Sequence, residues 1–103
     1  LPNAWPILVQ AIQLAEDTRI IAIEGEPVAE IGLQVIAAFG KGVTFAIGYS
    51  NGEGAYLPTS KMLPEGGYEV EGYWEYGLPS PIASGVEQIL EDAMAQLRKR
   101  CIT

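Results

Sequence analysis

Residues 19–47 read RIIAIEGEPVAEIGLQVIAAFGKGVTFAI, and this stretch decides the fold. Residues 19–23 form a run rich in β-branched side chains, which is typical of a buried strand. Apolar residues then recur at helical spacing over residues 28–39, and Gly40 can end a helix with a positive φ. Residues 43–47 form a second apolar run of strand length. Strand, helix and strand within about 30 residues predict a βαβ unit with parallel strands and a right-handed crossover.

The segments on either side of this unit predict a hairpin before it and a long loop after it. Residues 7–14 precede a polar turn at residues 15–18, so a β-hairpin is favoured over a helix followed by a strand. Residues 48–81 contain all five tyrosines. Because disordered segments are poor in aromatic residues, we expect an ordered loop rich in tyrosine and glycine.

Local signals predict where the helices begin and end. Pro27 is suited to the first position of the first helix, where its missing N–H costs nothing. Ser84 and Glu87 have the spacing of a capping box at the start of a C-terminal helix. Basic residues 98–100 suit the end of that helix, because they face the negative end of its dipole. Its apolar stripe is predicted to consist of Val86, Ile89, Leu90, Ala93 and Leu97. The sequence therefore predicts an α/β fold in which residues 1–103 form one domain.

Composition excludes several classes of function. The chain has 6 basic and 13 acidic residues, a net charge of −7 and no histidine. The acidic charge balance argues against a nucleic-acid partner, because no basic patch is available to displace counterions. A self-contained Ser-His-Asp triad and a histidine-based zinc site are excluded. Cys101 is the single cysteine, so no disulfide can form within the chain. We find neither a transmembrane segment nor a signal peptide in the sequence.

A candidate site follows from the predicted topology. Glu26 comes just after the first strand of the βαβ unit, and residues 49–56 come just after the second strand. The carboxyl ends of parallel strands meet at one sheet edge, where open α/β sheets bind ligands. Alternatively, Glu26 serves only the N-terminal turn of the helix. Residues 48–54 predict a tight turn rather than a phosphate-binding loop. Residues 73–76, Tyr-Trp-Glu-Tyr, either line a pocket or cover the sheet edge.

Several spaced motifs resemble the neutral/alkaline non-lysosomal ceramidase family. IEGEP at residues 23–27, followed by EIG at residues 30–32, resembles that family's Pro-Gly-Glu-Phe/Pro segment. IGYSNG at residues 47–52 and YLPT at residues 56–59 resemble its Asn-x-Tyr-x-x-Tyr-hydrophobic-Thr/Pro-Thr segment. GYE follows at residues 67–69 at the family's interval. The resemblance covers nearly the whole chain and corresponds to the C-terminal part of the family's catalytic domain, in a bacterial ceramidase-like branch.

The resemblance implies a zinc-dependent amidase that cleaves the N-acyl bond of ceramide to give sphingosine and a fatty acid. The family holds zinc with two histidines, a glutamate and a tyrosine, and the last two match Glu26 and Tyr56. Tyr68 matches a tyrosine that helps to hold the oxyanion of the tetrahedral intermediate. The resemblance also implies a secreted or membrane-associated protein with a lipid or N-acyl amide substrate. Both histidines are absent here, so we expect the chain to be an inactive part of a longer protein.

Departures from the family pattern leave the substrate open. Glu24 stands where the family usually has proline, Pro27 replaces the common phenylalanine, and the interval from Glu26 to Tyr56 is shorter than usual. The alternative function is a non-catalytic binding or scaffold module that uses the Tyr49–Tyr76 surface. We also expect the fragment to form a homo-oligomer, since part of a larger sheet would have an unpaired edge and exposed apolar surface.

Overall fold

The computed structural model describes residues 6–52, 56–72 and 83–100, which form a small α/β fold. This part of the chain contains five strands and four helices. In order they are β1 (Val9–Ala15), β2 (Thr18–Ile23), β3 (Glu26–Pro27), α1 (Ala29–Phe39), β4 (Val43–Ile47), β5 (Tyr56–Leu57), α2 (Met62–Glu65), α3 (Tyr68–Glu71) and α4 (Val86–Lys99).

The main sheet has three strands in the order β1-β2-β4. β1 pairs antiparallel with β2, and β2 pairs parallel with β4. The predicted hairpin and the predicted βαβ unit are thus both confirmed, with α1 as the crossover. α4 is the predicted C-terminal helix. Within the segment predicted as a long loop, the described residues include β5, α2 and α3, each too short to give a periodic signal in the sequence.

One face of the sheet carries the hydrophobic core. The core cluster consists of Ile21, Ile23, Val35, Leu57 and Met94, all buried, so β2, α1, β5 and α4 meet in one place. On the same face Arg19 is also buried; it donates a hydrogen bond of 2.6 Å to Thr44 Oγ1. Its guanidinium lies 4.9 Å from the centre of the Phe39 ring, a distance at which a cation–π contact is favourable.

The start of α1 differs from the prediction. Pro27 belongs to β3, and the helix begins two residues later, at Ala29, after the extended residue Val28. Pairing with β5 holds residues 26–27 extended, and the residue before a proline also favours an extended backbone. At the other end the prediction is correct, because Gly40 follows Phe39 with a φ of 68°.

The predicted capping box of α4 is wrong. The N-cap is Gly85, with a φ of 104°, and no side chain caps the helix. The Glu87 carboxylate instead accepts hydrogen bonds from Ser60. The predicted apolar stripe is correct at four of its five positions: Leu90 is buried, and Val86, Ala93 and Leu97 pack against the core cluster. Ile89, at 69% exposed, does not belong to it, whereas the buried residue Met94 does. The side chains of Leu90 and Met94, four residues apart, define the buried face, and Ile89 lies outside it.

Among the described residues, no helix is both long enough and apolar enough to cross a membrane.

Candidate functional site

Glu26 and Tyr56 lie side by side in the structure. They are Cα partners in the parallel pair formed by β3 and β5. Adjacent strands are about 4.8 Å apart, and residues opposite each other in a ladder project to the same side. The two side chains therefore start from neighbouring backbone positions although 30 positions separate them in the sequence. The sequence prediction that both reach one edge of the fold is confirmed.

Core packing next to each residue holds this pair in place. Leu57, which follows Tyr56, is buried in the core cluster and anchors β5. The backbone N–H of Val28 donates to Leu57 O at 3.2 Å, which continues the ladder beyond Pro27. Glu26 itself is half-buried and comes three residues before α1, whose first-turn acid is Glu30. The alternative in which Glu26 serves only the helix N-terminus is therefore not supported.

Tyr68 joins this pair from a third segment. It opens the short helix α3, which is anchored by the buried residue Val70. The rings of Tyr56 and Tyr68 are 5.3 Å apart at an interplanar angle of 79°, an edge-to-face contact. The Tyr68 ring packs over Gly72, where an added Cβ would lie 3.6 Å from the ring. Tyr68 is 54% exposed, so its ring is accessible at the rim of the pair.

The turn after β4 supports β3 from the other side. Gly25 N–H donates to Gly52 O at 3.1 Å, and Tyr49 N–H donates to Gly25 O at 2.7 Å. The segment forms a turn with positive φ at Tyr49, Asn51 and Gly52, in line with the tight turn predicted for residues 48–54. Gly48 lies directly against Pro27. The backbone on both sides of Glu26 is thus fixed by the turn that follows the next parallel strand.

A hydrogen-bonded cluster that the sequence did not predict fixes the segment after Tyr56. The Ser60 backbone N–H and hydroxyl both donate to the Glu87 carboxylate, at 3.1 and 2.9 Å. Gly85 N–H donates to Ser60 Oγ at 2.9 Å. Hydrogen bonds from the backbone N–H groups of Glu87 and Ser60, and from the Ser60 hydroxyl, lower the pKa of the Glu87 carboxyl. We call Ser60, Gly85 and Glu87 the Ser60–Glu87 latch.

The three predicted site residues present oxygen chemistry without histidine. Carboxylate and phenolate oxygens can bind Zn²⁺, which usually takes four ligands in proteins. Glu26 and Tyr56 supply two such oxygens, so they fit half of a zinc site and no more. Within residues 6–52, 56–72 and 83–100, no three His, Cys, Asp or Glu side chains are grouped closely enough to hold a metal ion.

Two other features complete the description of the surface. Tyr49, at one end of the surface predicted for the binding module, is 58% exposed, whereas residues 73–76 lie outside the described residues. A separate cleft of about 590 Å³ lies between β1 and the end of α4, lined by Leu8, Gln10, Asn51, Leu97 and Arg100 among others. Glu26, Tyr56 and Tyr68 do not line this cleft.

Comparison of the chain with protein-family models, with curated proteins and with solved structures found no match.

Proposed function

We propose that this chain is part of a zinc-dependent amidohydrolase similar to neutral ceramidase, which hydrolyses an N-acyl amide such as ceramide. One observation carries the proposal: Glu26 and Tyr56 are ladder partners, and Tyr68 is in ring contact with Tyr56. The three residues belong to separate sequence motifs, and the resemblance to the ceramidase family gives them linked roles in one site. Their proximity supports a shared site.

In this proposal Glu26 and Tyr56 contribute two oxygen ligands to zinc. Bound zinc would lower the pKa of its water towards about 7 and polarise the amide carbonyl. The chain has no histidine, so two histidine ligands would come from residues beyond this sequence. The ladder between β3 and β5 places the two residues opposite each other, so that both side chains leave the same side of the backbone before any metal binds.

Tyr68 would donate its phenolic proton in a hydrogen bond to the oxyanion of the tetrahedral intermediate. A phenol is a good donor at neutral pH because its ordinary pKa is about 10. The edge-to-face contact with Tyr56 orients the Tyr68 ring, which also packs over Gly72. Preorganised donors of this kind stabilise the transition state more than the ground state.

The test uses the full-length protein that contains this sequence, and it measures bound zinc and hydrolysis of N-acyl-sphingosine and of simpler N-acyl amides. Glu26→Gln and Tyr56→Phe are each expected to lower both zinc content and the hydrolysis rate, since each removes or weakens a ligand. Tyr68→Phe is expected to retain zinc but to lower kcat about 100-fold, as for loss of one oxyanion-hole donor.

Glu24→Gln and Tyr49→Phe are the matched controls, because they change a nearby carboxylate and a nearby phenol outside the three-residue cluster. Both controls are expected to retain zinc and activity. Normal zinc content and activity in the Glu26→Gln/Tyr56→Phe double variant would refute the ligand assignment. A wild-type protein that neither binds zinc nor hydrolyses N-acyl amides would instead favour the non-catalytic binding module around Tyr49.

A further inference from the structure

The face of the sheet opposite the core is apolar. The sheet register places eight side chains on this outer face, in alternation with those that face the core, and alternation along β1 adds Leu14, which lies at the irregularity between Gln13 and Ala15. They are Gln10, Ile12 and Leu14 of β1, Thr18, Ile20 and Ala22 of β2, and Val43, Phe45 and Ile47 of β4. None of the nine is charged, although the chain carries 19 charged residues. We call this surface the outer sheet face.

Its large side chains are exposed. Five of them are between 43% and 57% exposed: Ile12, Leu14, Val43, Phe45 and Ile47. Ile12, Ile20 and Phe45 form one row across all three strands. A solvated sheet face normally alternates polar side chains with the apolar ones that face the core. Here both faces are apolar, while α1 and α4 pack on the core face alone.

The exposed apolar area is of the size that a modest protein interface needs. At about half exposure each of the five side chains contributes roughly 100 Å², so the patch presents about 500 Å². Two such patches packed together would remove about 1,000 Å² of surface from water, which is the lower limit for a specific interface. A second sheet face matches this patch in both shape and polarity, since sheets pack face to face with their strands about 30° apart.

We propose that the outer sheet face is a docking surface for a second copy of this chain, packed face to face about a two-fold axis. The net charge of −7 opposes association through most of the surface, but this uncharged face allows it. A lipid surface fits less well, because interfacial binding relies on basic residues around the apolar patch and this chain has only 6. The proposal is independent of the zinc site.

The test is analytical ultracentrifugation of the 103-residue chain between about 1 and 300 µM. We expect a reversible dimer with a dissociation constant in the micromolar range, as befits an interface of this size. Phe45→Lys places a charge at the middle of β4 and is expected to weaken the dimer about 100-fold or more. Leu33→Lys is the matched control. Leu33 is 65% exposed on α1, away from the outer sheet face, so this variant should dimerise with the dissociation constant of the wild type.

Circular dichroism and thermal melts would verify that both lysine variants fold.

A second experiment distinguishes face packing from pairing of strand edges. Ile20 lies on the central strand, so an Ile20→Cys variant in a Cys101→Ser background should cross-link through a bismaleimide of about 10 Å, the spacing of stacked sheets. A wild-type monomer at 300 µM would overturn the proposal, as would dimerisation of Phe45→Lys equal to that of Leu33→Lys. Cross-linking absent from an Ile20→Cys dimer, or binding to neutral phosphatidylcholine vesicles by a monomeric chain, would overturn it too.

Discussion

Gly48 lies at the closest approach between the turn after β4 and the strand that carries Glu26. A Cβ at this position would be 2.8 Å from Pro27 Cδ and 3.2 Å from Gly25 O. Neither atom can move aside easily, because one belongs to a proline ring and the other to the backbone. We therefore expect Gly48→Ala to destabilise the fold by about 1–3 kcal/mol, the usual cost of overpacking. Urea denaturation measured by circular dichroism would detect this loss.

Gly32 provides the matched control for this substitution. It lies in the interior of α1, and a Cβ added there would have no neighbour within 4 Å. Alanine loses less backbone entropy than glycine on folding, so Gly32→Ala is expected to stabilise the chain by about 0.5–1 kcal/mol. Equal effects of the two substitutions would contradict the close packing of Gly48 against β3.

At the residue scale, the sequence could predict that Glu26 and Tyr56 approach each other, but not how. The carboxyl ends of two parallel strands meet at one edge, and this rule brings the two segments together. The direct pairing of Glu26 with Tyr56 depends on β3 and β5, which have two residues each. Strands this short carry no periodic pattern, so their register is visible only in three dimensions.

Among the elements, the attachment of α4 to the segment after β5 depends on the ionised form of Glu87. Hydrogen bonds lower the pKa of its carboxyl below the value of 4.5 for an unperturbed glutamate. A pKa that is lower in the folded state stabilises the fold at pH values above the unfolded-state pKa. This contribution is then lost as the pH falls through the folded-state pKa. The latch should therefore weaken in acid.

We expect wild-type stability to fall more steeply than that of Glu87→Gln between about pH 5 and pH 3. The measurement is the free energy of unfolding in urea at a series of pH values for both proteins.

Ser60→Ala should destabilise the chain at pH 7 by about 1 kcal/mol and reduce the same acid dependence. Ser84→Ala is the control, since no side chain caps α4, and it should change stability by less than about 0.5 kcal/mol. A larger loss of stability in Ser84→Ala than in Ser60→Ala would instead support the predicted capping box.

The strand and helix order is predictable because residues 9–47 combine a hairpin turn, β-branched runs and a helical repeat. The ends of the elements are less predictable, because partners distant in sequence decide them. Local preference favours Pro27 as the first helical residue, but it pairs with Leu57. Local spacing likewise favours Glu87 in a cap, but its carboxylate binds Ser60, 27 positions away. In both cases tertiary pairing outweighs a local preference.

For the whole molecule, the outer sheet face links stability to protein concentration. If folded chains dimerise and unfolded chains do not, each tenfold rise in concentration above the dissociation constant stabilises the dimer by about 1.4 kcal/mol. The midpoint of thermal unfolding should then rise by about 3 °C per tenfold increase for the wild type. Phe45→Lys should show a clearly smaller rise in its midpoint over the same range, whereas Leu33→Lys should behave like the wild type. Scanning calorimetry between about 10 and 300 µM would measure all three, and a constant wild-type midpoint across that range would contradict the proposed dimer.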